Sequence, residues 1–404
     1  MAALASALLI CALHVLNRPR GLIAADITTE IHGVVTLRKG LSVLNRSVPF
    51  DSALTGRGWI PALAAAFLLV INISPVLAQD APLPPVTVGG GVRTSFTHTE
   101  PAVGASTDAF ALDSARLYIN GSAAPKIKFM FNTEYNGADN AVGVLDAVAR
   151  FEFSDKFNIW AGRFLPPSDR ANLYGPYYAN PWAVYTDGVQ DGYPFIFQGR
   201  DNGAAYWGQF GKVKLSAGAF DGKTASGDTT VLSAGRIQVD FWDPEGGYYL
   251  NGTYYGDKNL LAIGAAAQAQ GSNKSAYSAD FLLERKVPAG GAVSVEAEWA
   301  KYDHLGGYSG RYGVDDGGYV LGAYLFPKLS GPGRFQVLAK FAKARFREGL
   351  TARDLNYDQK TTEVNLNYII RQFNARVMGF FKDTRFDAVL PDSKQVGVGL
   401  QIQM

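Results

Sequence analysis

Apolar and polar side chains alternate along much of this sequence, in segments of about ten residues separated by turn-forming residues. From Gln395 to Met404 every second residue is apolar, and glycine or glutamine fills the positions between. The stretch from Thr361 to Ile370 follows the same scheme, with mostly apolar residues on one face and polar residues on the other. Because the side chains of a β-strand point to opposite faces in turn, this period of two predicts strands whose two faces meet different surroundings.

Periodicity alone does not separate a soluble β-sandwich from a barrel whose apolar face meets lipid. The composition favours the barrel, because 45 glycines, 20 tyrosines, 24 phenylalanines and a charged fraction of only 18% suit many aromatic-flanked strands joined by turns. No linker divides residues 86–404. The sequence therefore predicts an all-β fold, a transmembrane antiparallel β-barrel over residues 79–404 with an apolar exterior and a polar lumen.

An apolar run from Trp59 to Ala78 ends in small or apolar residues at the positions that a signal peptidase reads. We interpret residues 59–78 as a signal peptide that is cleaved after Ala78. The alternative is a transmembrane helix, which two prolines and an asparagine within the run weaken. Residues 1–58 show no convincing pattern, and we interpret them as an extension from a start codon assigned too far upstream.

The number of strands follows from parity. Bacterial single-chain barrels have an even number, with short turns on the periplasmic side and long loops outside. A first count gives seventeen candidate strands, and because this number is odd, one of the candidates is not a strand. The count becomes sixteen if Asp243–Asn259 is a periplasmic excursion, and equally if Gly247–Tyr255 spans the membrane and Ala276–Lys286 does not. The stretches Asp303–Gly317 and Arg347–Gln359 are both expected outside.

A long segment without strand character, about residues 165–201, follows the fifth predicted strand. Long structureless stretches in compact domains are usually functional or disordered, and eight aromatic residues argue against disorder here. We expect this segment to fold into the lumen and narrow it; the alternative is a surface loop over the barrel rim. The candidates for the constriction are Arg163, Asp169, Arg170, Asp187, Asp191, Arg200 and Asp201.

Basic side chains opposite this segment are candidates for solute contact. Rings of basic residues in a narrow pore attract anions. Alternation places seven on the lumen face: Arg116, Lys126, Lys128, Arg150, Lys340, Arg376 and Lys382. Several acidic residues, including Glu134, Glu152 and Glu363, share that face. Anion and cation preference therefore both stay open.

The remaining chemistry is sparse. Without residues 1–78 the chain has 32 basic and 33 acidic residues, and this near-neutral balance argues against nucleic acid as a partner. Its single cysteine, Cys11, lies in the removed part, which excludes disulfides and thiolate metal sites. The two remaining histidines, His98 and His304, lie in or beside predicted outer loops. We expect no enzymatic activity, no metal and no cofactor.

Four stretches resemble the phosphate-selective porins of Gram-negative outer membranes: DSARLYINGSAAPKIKFMFNTEY, IWAGRFLPPSDR, FWDPEGGYYLNGTYYGDKNLLAIGAAAQAQ and the terminal KQVGVGLQIQM. The resemblance implies a sixteen-stranded barrel that is usually trimeric and prefers anions. No lysine cluster or arginine ladder of that family can be aligned residue by residue with this sequence.

The expected function is that of an outer-membrane porin through which small hydrophilic solutes diffuse passively, and a preference of this channel for anions or phosphate stays open. The alternative is a structural or adhesive barrel without significant conductance. The expected partners are the lipid bilayer, lipopolysaccharide, small hydrophilic or anionic solutes and two further copies of the chain in a homotrimer. The expected location is the bacterial outer membrane, after cleavage of the signal peptide.

Overall fold

The computed structural model of this chain describes residues 86–138, 140–182, 199–222, 230–305, 312–349, 356–387 and 390–404. The predicted signal peptide and the extension before it lie outside these residues, as do two of the constriction candidates, Asp187 and Asp191. The predictions for those parts of the chain stay predictions.

The described chain forms sixteen β-strands, and each pairs antiparallel with its neighbours in sequence. The first strand also pairs with the last, from Gly91 opposite Gln403 to Pro101 opposite Ser393, so the sheet closes into a barrel. The predicted fold and strand number are confirmed. The strands are β1 Thr87–Pro101, β2 Thr107–Ala124, β3 Ile127–Asn136, β4 Ala141–Ser154, β5 Phe157–Phe164, β6 Asp201–Phe210, β7 Val213–Phe220, β8 Leu232–Asp240, β9 Leu260–Gln270, β10 Lys274–Lys286, β11 Ala292–Asp303, β12 Tyr312–Ser330, β13 Gly333–Gly349, β14 Tyr357–Arg371, β15 Ala375–Phe386 and β16 Ser393–Gln403.

The two faces of the strands differ as the alternation predicts. In β16, Val398 and Ile402 are 52% and 54% exposed on the outer surface, whereas Gln401 and Gln403 are 0% and 7% exposed on the inner side. The same alternation of exposed and buried residues runs along β14. An apolar exterior around a polar interior is the inverse of a soluble β-protein and is typical of a barrel whose outer face meets hydrocarbon.

The link between β8 and β9 settles the strand count. Residues 241–259 contain no strand, and Lys274–Lys286 is a genuine strand that pairs with both neighbours. The excursion interpretation is therefore correct, and the spanning interpretation of Gly247–Tyr255 is wrong. Glycines and tyrosines at successive positions of this block break the apolar and polar alternation that a spanning strand requires.

Three strands reach further than the sequence suggested. The predicted outer stretches Asp303–Gly317 and Arg347–Gln359 are too long, because β12 begins at Tyr312, β13 continues to Gly349 and β14 begins at Tyr357. Three polar residues that we assigned to outer loops instead form cross-strand ion pairs: Asp316 pairs with Arg345 at 2.5 Å, and Arg347 pairs with Asp358 at 2.5 Å. Such strand ends can extend beyond an apolar band, since their charges pair across the ladder.

The described part of the segment between β5 and β6 contains a short α-helix, α1 (Arg170–Tyr174), and a 3-10 turn, Pro288–Gly290, lies between β10 and β11. None of the helices in the described ranges has the length and apolar character to cross a membrane.

A charge on the outer face of a strand tests whether that face meets lipid. We expect Val398→Arg, at the centre of β16, to lower the free energy of unfolding by about 2–4 kcal/mol in a bilayer, because a charge at the midplane must be desolvated. The measurement is urea unfolding in lipid vesicles, followed by tryptophan fluorescence. Val103→Arg is the control, since Val103 is exposed in the link between β1 and β2. Equal stability of both variants would contradict a lipid-facing exterior.

Candidate functional site

The described part of the segment after β5 lies inside the barrel. We call its described residues 165–182 the inner loop. Its backbone carbonyls accept hydrogen bonds from side chains on strands all around the wall: Arg93 of β1 donates to Trp182 (2.5 Å), Arg236 of β8 to Ser168 (3.1 Å), Gln268 of β9 to Pro167 (3.2 Å), Arg376 of β15 to Ala179 (2.6 Å) and Gln401 of β16 to Tyr177 (2.9 Å). A segment that contacts β1, β8, β9, β15 and β16 at once must occupy the enclosed interior.

Helix α1 gives the inner loop a defined shape. Asp169 caps its first turn, accepting a hydrogen bond from the backbone N–H of Asn172 at 2.8 Å. Gly175 ends the helix with a φ of 61°, a conformation that favours glycine. The helix is attached to β11, because the backbone N–H of Ala171 donates to Glu298 at 3.1 Å and the hydroxyl of Tyr174 donates to Glu296 at 2.8 Å.

Residues 241–259, which we call the excursion, enter the interior from the other end of the barrel. In an antiparallel barrel the links after odd-numbered and even-numbered strands lie at opposite ends, and the inner loop follows β5 whereas the excursion follows β8. The two segments meet, since the hydroxyl of Tyr248 donates to the carbonyl of Leu165 at 2.8 Å. Glu284 of β10 holds the far part of the excursion, accepting from Thr253 at 2.7 Å and from the backbone N–H of Gly256 at 2.7 Å.

A buried ion pair joins the inner loop to the excursion. Arg170 donates to both carboxylate oxygens of Glu245, at 3.0 and 2.6 Å, and both side chains are fully buried. Burial alone would raise the pKa of Glu245, but Arg170 and Lys214 outweigh it and lower the pKa below its usual range. Because the folded-state pKa is the lower one, the stabilisation is present at neutral pH and is lost only when the pH falls through that lowered value.

A cavity of about 470 Å³ separates these inner segments from the wall formed by β1–β4. Arg116, Asp146 and Arg200 border it, together with tyrosine and asparagine side chains such as Tyr249 and Asn132. Each charge has an opposite charge beside it. Arg116 contacts Glu134 at 2.9 Å, and Arg200 contacts Asp146 at 3.4 Å.

A second cavity of about 510 Å³ lies beside the β4–β5 turn. Lys128, Arg150, Glu152 and Asp155 border it, and Glu152 contacts Lys128 at 2.7 Å and Arg150 at 3.8 Å. Its charges are balanced too. No group of three or more His, Cys, Asp or Glu side chains in the described ranges is arranged to hold a metal ion.

The constriction candidates fall in different places. Arg200 borders the first cavity, and Asp169 and Arg170 are buried in the contacts of the inner loop. Asp201 is buried and accepts backbone hydrogen bonds from Asn202 and Gly222, at 2.6 and 2.7 Å. Asp187 and Asp191 lie outside the described residues.

The expectation for Arg163 is wrong. It pairs with Ala147 and Asn202, both of which are exposed on the outer surface, so its side chain shares their face. The reason is the alternation of β5, whose buried Trp160 and Phe164 point inward and leave Arg163 outside.

The basic candidates also divide. Arg116 borders the first cavity, and Lys128 and Arg150 border the second. Arg376 is 0% exposed and donates to carbonyls of the inner loop. The others are Lys340, whose ammonium lies 4.4 Å from the ring centre of Tyr319, Lys382, opposite Glu363 in the ladder, and Lys126.

The lumen assignment of Lys126 is wrong, because it lies exposed in the turn between β2 and β3. Pro125 stands before it and has no N–H to donate to the ladder, so the strand pairing is interrupted there.

Sequence reasoning missed Asp146, Glu245 and Tyr249. At Asp146 the alternation shifts, because the register between β3 and β4 slips after Asn132 and leaves both Leu145 and Asp146 buried. A β-bulge of this kind is not visible in the hydrophobic pattern. The only sequence signal for Tyr249 and Glu245 is the glycine-rich and tyrosine-rich composition of the block between β8 and β9.

Removal of the buried ion pair tests how the interior is held. We expect Arg170→Ala to weaken the attachment of the inner loop by about 3–5 kcal/mol, because Glu245 would stay buried without its partner. The measurement is chymotrypsin cleavage of the folded barrel at Tyr174 and Tyr177, which are buried in the native chain. Arg345→Ala is the matched control, since its pair with Asp316 is half exposed and worth about 0–1 kcal/mol. Equal protection of both variants would contradict this role of the pair.

Neither the protein-family models nor the curated proteins compared with this sequence include a match. Solved structures, in contrast, share its fold. Salmonella typhi OmpF in complex with daunomycin aligns with a TM-score of 0.55 and 12% identity, over 80% of this chain and 98% of that chain. An anion-selective porin from Comamonas acidovorans aligns with a TM-score of 0.53 and 14% identity, over 79% and 99% of the two chains. At such identities the similarity establishes the fold alone: this chain has the β-barrel architecture of outer-membrane porins.

Proposed function

We propose that this protein is an outer-membrane channel through which small hydrophilic solutes diffuse passively. The observation that carries the proposal is a closed barrel of sixteen strands with an apolar exterior, whose interior retains a cavity of about 470 Å³ between the wall and two inward-folded segments. Sixteen-stranded barrels are wide enough to leave an aqueous channel, and inward-folded segments narrow it.

The charges along the cavities bear on ion selectivity. A strong preference for anions or phosphate needs an excess of basic side chains at the narrowest point. Here Arg116 and Arg200 are paired with Glu134 and Asp146, and Lys128 and Arg150 are likewise balanced by acids. The channel is therefore proposed to be weakly selective, in contrast to the Comamonas acidovorans porin, which is described as anion-selective.

A structural or adhesive barrel is the second candidate, and one observation favours it. Much of the lumen face is closely covered, since Glu298, Glu363 and Asn365 are 4%, 2% and 1% exposed. A barrel filled to this degree could serve as a rigid scaffold. The two cavities beside β1–β6 favour the channel, because a plugged barrel would fill its interior, whereas these cavities leave polar space along the wall.

The other expectations remain part of the proposal. The lipid bilayer and lipopolysaccharide would surround the apolar exterior, and the homotrimer follows from the family resemblance. No catalytic role is proposed. The described hydrogen bonds of the His98 ring go to the carboxylates of Asp108 and Glu100, not to a nucleophile, and a catalytic base needs a nucleophile within reach.

Planar-bilayer recording tests the proposal. The chain from Gln79 onward is refolded in detergent, its β-structure is verified by circular dichroism, and it is added to a lipid bilayer. We expect stepwise increases in conductance, with a reversal potential close to zero under a salt gradient because the lining charges are balanced. The same preparation, unfolded before addition, is the control.

Each result decides between the candidates. Folded protein that inserts and carries no current would overturn the channel and leave the scaffold. A large anion-preferring reversal potential would keep the channel and replace weak selectivity with the anion preference implied by the resemblance. A large cation preference would contradict both the weak selectivity proposed here and the anion preference implied by the resemblance.

A further inference from the structure

One side chain separates the two cavities. Tyr249, near the middle of the excursion, borders the cavity of about 470 Å³ and also the cavity of about 510 Å³, and no other residue in the described ranges borders both. The first cavity reaches from Thr87 and Met404 at one barrel end to Asp146 and Arg200. The second opens at the same end, beside Asp155 of the β4–β5 turn. The tyrosine therefore divides the interior at the end where the excursion enters.

The ring of Tyr249 is held from two sides. Its edge packs against Trp160, with ring centres 5.6 Å apart at an angle of 73°, and against Tyr248, with centres 5.4 Å apart at 78°. These edge-to-face contacts are favourable arrangements for aromatic pairs. Trp160 belongs to β5, so the ring is held against the barrel wall.

A hydrogen bond from the hydroxyl of Tyr249 fixes the orientation of the ring. The hydroxyl donates to Oδ1 of Asp146 at 2.9 Å. Asp146 also accepts from the side-chain amide of Asn132 at 2.8 Å and contacts Arg200 at 3.4 Å. One carboxylate thus joins the wall, the end of the segment after β5 and the excursion. Burial raises the pKa of Tyr249 well above its ordinary value, so the hydroxyl keeps the proton that it donates.

The excursion on both sides of Tyr249 is attached independently. Before it, Glu245 is held by Arg170 and by Gln238, which donates at 2.8 Å. After it, Thr253 donates to Glu284 at 2.7 Å. Replacing the tyrosine therefore leaves the anchors of the excursion in place, and the side chain can be tested apart from the fold.

We propose that Tyr249 sets the width of the passage: its ring, held by Asp146, keeps the two cavities apart and limits the size of solute that passes. The inference rests on the proposed channel function and adds the residue that determines size selection. Removal of the ring joins two spaces that are now separate, which enlarges the free cross-section beside the wall.

The experiment compares four proteins with the native chain: Tyr249→Ala, Tyr249→Phe, and two controls. Trp242→Ala removes an exposed ring from the same excursion at a residue that borders neither cavity, and Tyr277→Ala removes an exposed ring from the outer surface. Single-channel conductance and the largest polyethylene glycol that enters the pore are measured for each. Circular dichroism and heat-modifiable migration on gels verify folding.

We expect Tyr249→Ala to raise conductance and shift the size limit to larger polymers, while both controls match the native chain. Tyr249→Phe keeps the ring without its hydrogen bond to Asp146, and we expect a smaller rise. This variant also keeps the proposal testable if the alanine variant does not fold.

The outcomes separate the two proposals. A native chain that conducts, with Tyr249→Ala unchanged in conductance and size limit, would overturn the role of Tyr249 and leave the channel intact. A rise in both Tyr249 variants and in Trp242→Ala would assign the effect to general loosening of the excursion and overturn the specific role. A native chain without conductance would overturn the channel, and the size-selection role with it.

Discussion

The closed ladder of hydrogen bonds between β1 and β16 is the constraint on which the rest of the structure depends. In hydrocarbon no water can satisfy an open strand edge, so an unpaired N–H or C=O there would cost several kcal/mol. Closure removes both edges. It also encloses a limited volume, so every inward side chain must find its partner within that volume, and the segments that enter it must satisfy their own backbone groups there.

The arginines of the lumen meet this requirement. Arg93, Arg236 and Arg376 donate to backbone carbonyls of the inner loop, which has almost no regular structure to satisfy them otherwise. Aromatic rings cover two of these cations, with the guanidinium of Arg93 lying 3.9 Å from the ring centre of Trp182 and that of Arg376 lying 5.4 Å from the ring centre of Phe373. From the sequence alone, basic residues on the lumen face are interpreted as candidates for attracting anions. In the structure these three arginines attach the loop to the wall, and the cavities are bordered by other charges that are already paired.

The fold could be predicted almost completely, because the period of two survives along most strands and the parity of an antiparallel barrel corrects the count. The errors are local. Arg163 was placed in the lumen although the alternation of β5 sends it outside, and Lys126 was placed on a strand although Pro125 interrupts the pairing. The candidate site was predicted less well, since among the constriction candidates that the structure describes only Arg200 borders either of the cavities of about 470 and 510 Å³.

The sequence by itself determined the barrel, its sixteen strands and the faces of most residues, because each of these depends on local alternation and on chain length between turns. It located the long segment after β5 but left open whether that segment folds inward or covers the rim. The tertiary structure decided what the interior consists of. Asp146 of β4 meets Tyr249 of the excursion, and Arg170 of the inner loop meets Glu245 of the excursion, only when two segments enter one enclosed volume from opposite ends. No local pattern encodes such a meeting, since its geometry depends on the closure of the whole sheet.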